Sequence, residues 1–132
     1  MTETERTSST TTVPSATSPA EIAERYFDAW QTGDFEALRA LLADDVSFVG
    51  ALGTADGAEA CLAGLRGMST ILERIEVKAR VADADDVITW FDLHTTDAPP
   101  TPTANWTHVE DGRITAIRVT FDPRGILGAG TP

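Results

Sequence analysis

The sequence predicts an α+β domain, with three helices first and an antiparallel sheet after them. In the first half of the chain apolar residues recur at spacings of three and four, the period of a half-buried helix. From Ile75 onward they recur at spacings of two, the period of a strand. Near the end, Glu110-Asp111-Gly112-Arg113 carries the Asp-Gly pair of a tight hairpin, which makes the strands around it antiparallel. Helices grouped before strands are the order of a fold whose helices pack on one face of a sheet.

The first helix has a marked start in Ser18-Pro19-Ala20-Glu21, where a Ser cap precedes a Pro at the first helical position and an acid sits three places after the cap. Ile22, Ala23, Tyr26, Phe27 and Trp30 form its apolar face, and Gly33 stops it. Asp34 caps a shorter second helix with Phe35, Leu38, Leu41 and Leu42 on its apolar face, ended by Asp44 and Asp45. An extended piece, Val46 to Val49, and a Gly-rich loop, Gly50 to Gly57, lead into a third helix. Asp56 and Glu59 fit a capping box for it, and Cys61, Leu62, Leu65 and Met68 fit its buried face.

In the strand half, Ile75, Val77, Ala79 and Val81 alternate with charged residues, as on a strand with one wet face. Asp83 to Asp86 is a turn. Val87 to Thr96 carries apolar residues on both phases and is expected to be covered on both sides. Ala98 to Pro102 connects to a third strand, Thr103 to Val109, and the Asp-Gly turn leads into the last, Ile114 to Phe121.

Composition bounds the function. A chain of 132 residues, 42% of them apolar, suffices for one core and one domain. Ten Lys and Arg against 21 Asp and Glu give a formal charge of −11, which repels nucleic acid and anionic membrane surfaces. Residues 1–18 are Thr/Ser-rich, without the basic start and apolar run of a signal peptide, and read as a disordered tail; the domain is expected over 19–124 and a flexible tail over 125–132. The single cysteine, Cys61, forms no internal disulfide, and no stretch approaches the roughly 20 apolar residues that span a bilayer. A cytoplasmic protein is expected.

Tyr26-Phe27-Asp28-Ala29-Trp30-Gln31-Thr32-Gly33-Asp34, Leu42-Ala43-Asp44-Asp45-Val46 and Val109-Glu110-Asp111-Gly112-Arg113-Ile114 with Phe121-Asp122 resemble the nuclear transport factor 2-like (SnoaL-like) superfamily over about residues 19–124. The resemblance implies a cone, a curved antiparallel sheet wrapped around the three helices, with an internal pocket. It also implies isomerase, epoxide-hydrolase or polyketide-cyclase chemistry, or non-catalytic binding, because one fold hosts all of these. Against the steroid-isomerase pattern, Tyr26 matches the helix-one tyrosine, but Gly50 stands at the base position and about Ala104 at the second oxyanion donor. Against the limonene-epoxide-hydrolase pattern, Asp92 matches the first Asp, whereas Trp90, Val119, Phe48 and Gly50 stand where the Arg, the second Asp, the Tyr and the Asn would be. Val119 also stands at the acid of the polyketide-cyclase pattern.

Asp92 and His94 share one face of their strand. Alternation alone leaves that face inward or outward; the resemblance favours inward, where desolvation would make Asp92 a general base with His94 and Tyr26 as its partners. The candidate catalytic set is therefore Asp92, His94 and Tyr26. The candidate lining is Trp30, Phe48, Leu65, Met68, Trp90, Asn105, Thr107, Val119 and Phe121, with Trp106 and His108 turned outward as part of a homodimer surface. The expected ligand is a small apolar molecule. No cluster has the spacing of a metal site, and no cofactor is expected.

Overall fold

The computed structural model describes residues 18–127; residues 1–17 and 128–132, and with them most of the two expected tails, lie outside it. Helix α1 (Pro19–Thr32) begins with the Ser18–Glu21 capping box and ends at Gly33, whose φ of 75° is the left-handed conformation a side chain would disfavour. Helix α2 (Phe35–Leu41) is capped by Asp34, which accepts from the Ala37 amide. It stops earlier than expected: Leu42 already belongs to strand β1 (Leu42–Gly50), where it pairs with Ile114. The presumed Gly-rich loop holds a short strand, β2 (Gly53–Asp56), which pairs back on β1.

Because Asp56 is the last residue of β2, it does not cap helix α3 (Ala58–Ser69); Gly57, at φ 92°, does so without a side-chain hydrogen bond. Strands β3 (Leu72–Asp83), β4 (Asp86–Thr95), β5 (Thr101–Glu110) and β6 (Arg113–Phe121) follow, then a one-turn helix α4 (Arg124–Leu127) over the first residues of the expected C-terminal tail. Asp111 and Gly112 both have positive φ, 52° and 77°, as the two-residue β5–β6 hairpin requires.

The six strands form one curved, unclosed sheet in the order β2-β1-β6-β5-β4-β3. It is mixed rather than wholly antiparallel. Strand β1 enters beside β6 and parallel to it, because the chain between them makes the long crossover through β2, α3 and the meander. Helices α1 and α3 lie in the concavity, tied together by the Trp30 indole, which donates to the Leu65 carbonyl at 2.9 Å. The Gln31 side chain accepts from the Ile75 amide at 2.8 Å and fixes α1 to strand β3. The core joins Ile22, Tyr26, Phe27 and Trp30 of α1 to Leu38, Leu42, Val46, Leu62, Phe91, Leu93, Ile114 and Ile117.

Two strands depart from the sequence reading. The register of β3 against β4 shifts between Val77 and Ala79. Ile75 and Val77 stand opposite Leu93 and Phe91, whereas Ala79 and Val81 stand opposite Trp90 and Ile88. One inserted residue therefore moves the apolar phase to the other face, as a bulge does. Strand β4 is covered on one side: Val87, Thr89, Phe91, Leu93 and Thr95 are buried, while Ile88 and Trp90 are 40% and 46% exposed.

Candidate functional site

Between the helices and the sheet lies a cavity of about 340 Å³, at the small end of the range for small-molecule sites. Tyr26 and Trp30 reach it from α1, Phe48 from β1, and Cys61, Leu65 and Met68 from α3. The sheet supplies Phe91 and Leu93 of β4, Thr103 and Asn105 of β5, and Val119 and Phe121 of β6. The β1–β2 hairpin, residues 50–55, completes the wall, with the exposed Ala51, Leu52 and Gly53 at the rim.

Among the described residues no Asp, Glu, His, Lys or Arg lines this cavity. Its polar groups are neutral. Burial pushes the Tyr26 phenol above its ordinary value, Cys61 adds to the shift, and the neighbouring Asn105 side chain opposes it. Burial likewise raises the Cys61 thiol to about 11, so at neutral pH it is a thiol and a poor nucleophile. Asn105 is 2% exposed, and its Oδ1 is buried without a hydrogen-bond partner. At Gly50 a Cβ would fall 2.8 Å from Phe48 Cε1, so the Phe48 ring fills the space into which a side chain at this position would project.

Of the candidate lining residues, Trp30, Phe48, Leu65, Met68, Asn105, Val119 and Phe121 come together around the cavity, and Tyr26 joins them. Four candidates lie elsewhere. Thr107 is buried on the same face of β5 as Asn105 but lies beyond the cavity, against the Val87 carbonyl. Trp90, Asp92 and His94 point away from the cavity, on the outer face of the sheet, because Phe91 and Leu93 take the inner phase of β4.

On that outer face Asp92 stands opposite Glu76, and His94 lies next along the strand. Glu76 Oε1 is 3.2 Å from His94 Nε2, and Lys78 Nζ lies 2.9 Å from Glu76 Oε2 and 3.8 Å from Asp92 Oδ2. The Lys78 and His94 hydrogen bonds hold the Glu76 carboxyl below its ordinary value. Glu76, Asp92 and His94 each offer a ligand atom within 4.8 Å of the others, a grouping invisible to spacing along the chain because two strands supply it. The Lys78 ammonium already serves the two carboxylates as their cation.

Sequence reasoning missed Cys61, Leu93, Thr103 and the residues of the β1–β2 hairpin as cavity wall. The alternation of β4 held the clue for Leu93. Its phase Val87, Thr89, Phe91, Leu93, Thr95 carries no charge, and the other phase carries both Asp92 and His94. The desolvation cost of a charge turns the uncharged phase inward.

A curved sheet closed over by α1 and α3, with an uncharged cavity between, defines a protein of the nuclear transport factor 2-like fold. The chain belongs to the SnoaL-like domain family, which matches residues 23–117. No protein of curated function matches it in sequence. Among solved structures it is similar to a protein from Kribbella flavida, 31% identical over 88% of this chain and 96% of that one, with a TM-score of 0.82. It also shares its fold with a limonene-epoxide-hydrolase-like epoxide hydrolase of M. tuberculosis, 24% identical over 83% and 92% of the two chains at a TM-score of 0.69. A third neighbour, from Catenulispora acidiphila, has a ketosteroid isomerase-like fold and was crystallised with trimethylamine; it is 23% identical over 85% and 94% of the chains, with a TM-score of 0.71.

Proposed function

We propose that the protein binds a small, neutral, mostly apolar molecule in the cavity, and that Asp92 and His94 perform no acid–base chemistry on it. One observation carries this reading: the cavity wall holds no ionisable group that is charged at neutral pH, while Asp92 and His94 lie on the opposite face of the sheet. A general base must come within hydrogen-bond reach of the proton it takes. Isomerisation, cyclisation and epoxide opening each need such a group beside the ligand, and Tyr26, the one candidate that is present, is held neutral by burial. A charged ligand would meet no counter-charge in the wall and is disfavoured for the same reason. The neighbour crystallised with trimethylamine supports small-molecule binding as a use of this fold.

The test is mass spectrometry of the organic extract of purified protein, beside Val119→Trp, whose larger side chain fills the cavity. A neutral compound at up to one per chain, lost in Val119→Trp, is expected. A retained anion or cation, or equal retention in both proteins, would overturn the reading.

A homodimer through the outer sheet face accompanies this proposal. Val49, Arg118, Trp106, Ile88 and Val81 stand side by side across five strands on that face, and Val49, Val81, Ile88 and Trp90 are all more than a third exposed. Exposed apolar side chains on one sheet face, here with Arg118 among them, are what self-association covers. A cytoplasmic setting fits the free Cys61 thiol.

A further inference from the structure

The outer face of β3 and β4 brings two carboxylates and an imidazole to one point. Glu76 stands directly opposite Asp92, and Arg74 opposite His94, so His94 is the diagonal neighbour of Glu76. Facing and diagonal neighbours on one sheet face lie within side-chain reach. The register of two paired strands thus holds the three groups together, each with a ligand atom within 4.8 Å of the others. His94 Nε2 lies 3.2 Å from Glu76 Oε1. Zinc holds nitrogen and oxygen ligands at about 2.1 Å, and two such ligands at the tetrahedral angle are about 3.4 Å apart. The pair already has the spacing of two ligands on one ion.

Lys78 shows that a cation belongs here. Its ammonium lies 2.9 Å from Glu76 Oε2 and 3.8 Å from Asp92 Oδ2, and the Arg74 guanidinium reaches Glu76 Oε1 only at 3.8 Å. Both cationic side chains are largely exposed and can turn to water, whereas Asp92 and His94 are partly buried. A dication would balance the two carboxylates and take the imidazole as a third ligand, which an ammonium, having only protons to donate, does not use as well. The other of the chain's two histidines lacks this convergence. His108 meets Asp86 through Nδ1 at 2.6 Å and Glu110 through Nε2 at 3.3 Å, so its carboxylates sit at different nitrogens of the ring.

We infer that Glu76, Asp92 and His94 form a site for one divalent transition ion of the zinc class, with water in the remaining positions and Lys78 as the cation it displaces. The imidazole favours such an ion over magnesium or calcium, which prefer oxygen alone. The site is separate from the cavity and does not depend on what the cavity binds.

The test is calorimetric titration of ZnCl2 into the full chain, stripped of metal by dialysis against a chelator, at about pH 7.5 where metal ligands are deprotonated. One Zn2+ per chain, bound in the micromolar range, is expected, with no saturable heat from MgCl2. His94→Asn should weaken Zn2+ binding about tenfold or more, because it removes a ligand nitrogen and leaves the carboxylates in place. Lys78→Met keeps the stem, removes the competing charge and should tighten binding about fivefold, the scale of one unit charge at about 4 Å in water. His108→Asn should leave binding unchanged. Equal affinity in the natural chain and His94→Asn would overturn the site and assign the binding to the acidic surface at large. Absence of saturable Zn2+ binding to the natural chain, or a Lys78→Met chain that binds no tighter, would overturn it as well. Lys78 is half-exposed, so its variant keeps the inference falsifiable even where His94→Asn does not fold.

Discussion

Adjacent residues of strand β4 live in opposite environments. Phe91 is 2% exposed, in edge-to-face contact with Phe27 at 5.2 Å between ring centres, and forms part of the cavity wall; Trp90, one residue earlier, is 46% exposed on the outer face. The inner phase of this strand holds no charge, and the outer phase holds Asp92 and His94 within a network of Glu76 and Lys78. The sheet thus separates two kinds of chemistry by one backbone thickness. On β4 apolar volume and neutral groups face the helices while Asp92 and His94 face outward; Arg80 of β3 reaches the inner side, over the Phe27 ring and bonded to Thr89, but does not line the cavity. What can happen to a molecule in the cavity is decided by the first set alone.

The largest effect should come from breaking the inner side. Truncating a buried aromatic leaves a cavity and loses its transfer free energy, together about 3–5 kcal/mol. Phe91→Ala should lower the unfolding free energy by that amount in urea titration. Trp90→Ala should change it by no more than about 0.5 kcal/mol, as for a surface site, when measured on the monomer. Its effect should fall instead on assembly, raising the dimer dissociation constant in sedimentation equilibrium. Similar losses of stability in the two variants would erase the distinction between the faces.

A smaller effect lies at the far end of the outer face, where Asp86 Oδ1 is 2.6 Å from His108 Nδ1 and accepts from the Trp106 indole at 2.9 Å. The Asp86 hydrogen bond, helped by the charges of Asp86, Glu110 and Asp85, raises the His108 pKa against the pull of desolvation. The His108 hydrogen bond lowers that of Asp86. A raised histidine stabilises fully below its unfolded pKa, about 6.5, and the contribution is lost as pH rises through the higher folded value. A lowered carboxylate stabilises above its unfolded pKa, about 3.9, and loses this as pH falls through the folded value. The pair should therefore contribute most between about pH 4 and 6.5, declining on either side. In urea midpoints measured from about pH 3 to about pH 8, Asp86→Asn should flatten the pair's share of both declines, above about pH 6.5 and below about pH 4. The change should be small beside that of Phe91→Ala, because the pair is exposed to solvent and screened. An unchanged slope in Asp86→Asn would remove the coupling.

The elements were more legible than the site. Caps and periodicity located α1 through Ser18, Glu21 and Gly33, and the Asp111-Gly112 turn located the last hairpin, because these are local signals that tertiary contacts do not override. The parallel entry of β1 beside β6 and the shift in β3 between Val77 and Ala79 are pairings between distant segments, on which composition is silent. The cavity wall from Trp30 to Phe121 followed from apolar phases, and Asn105 from the register of the hairpin. Of the four candidates that lie away from the cavity, three, Trp90, Asp92 and His94, are on β4. There a resemblance to relatives with an inward-facing Asp outweighed the desolvation cost of turning Asp92 and His94 inside.

The smallest expected effect bears most directly on what the protein does. Asp92 is the residue a reading by resemblance would choose as the base, and its carboxylate lies 3.8 Å from Lys78 on the face opposite the cavity. Asp92→Asn keeps the shape and removes the charge. Because the ion pair is partly exposed and loosely spaced, its loss should change unfolding free energy by no more than about 1 kcal/mol. Because a sheet stands between Asp92 and the cavity, the amount of compound retained through purification should stay within about twofold of the natural chain, under 0.5 kcal/mol. Tyr26→Phe, by contrast, keeps the ring and removes one hydroxyl from the cavity wall, and should lower the amount retained by about tenfold. Mass spectrometry of the organic extracts of both variants decides between the faces. If Asp92→Asn weakens binding as much as Tyr26→Phe does, the outer face takes part in recognition and the separation of the two sides does not hold.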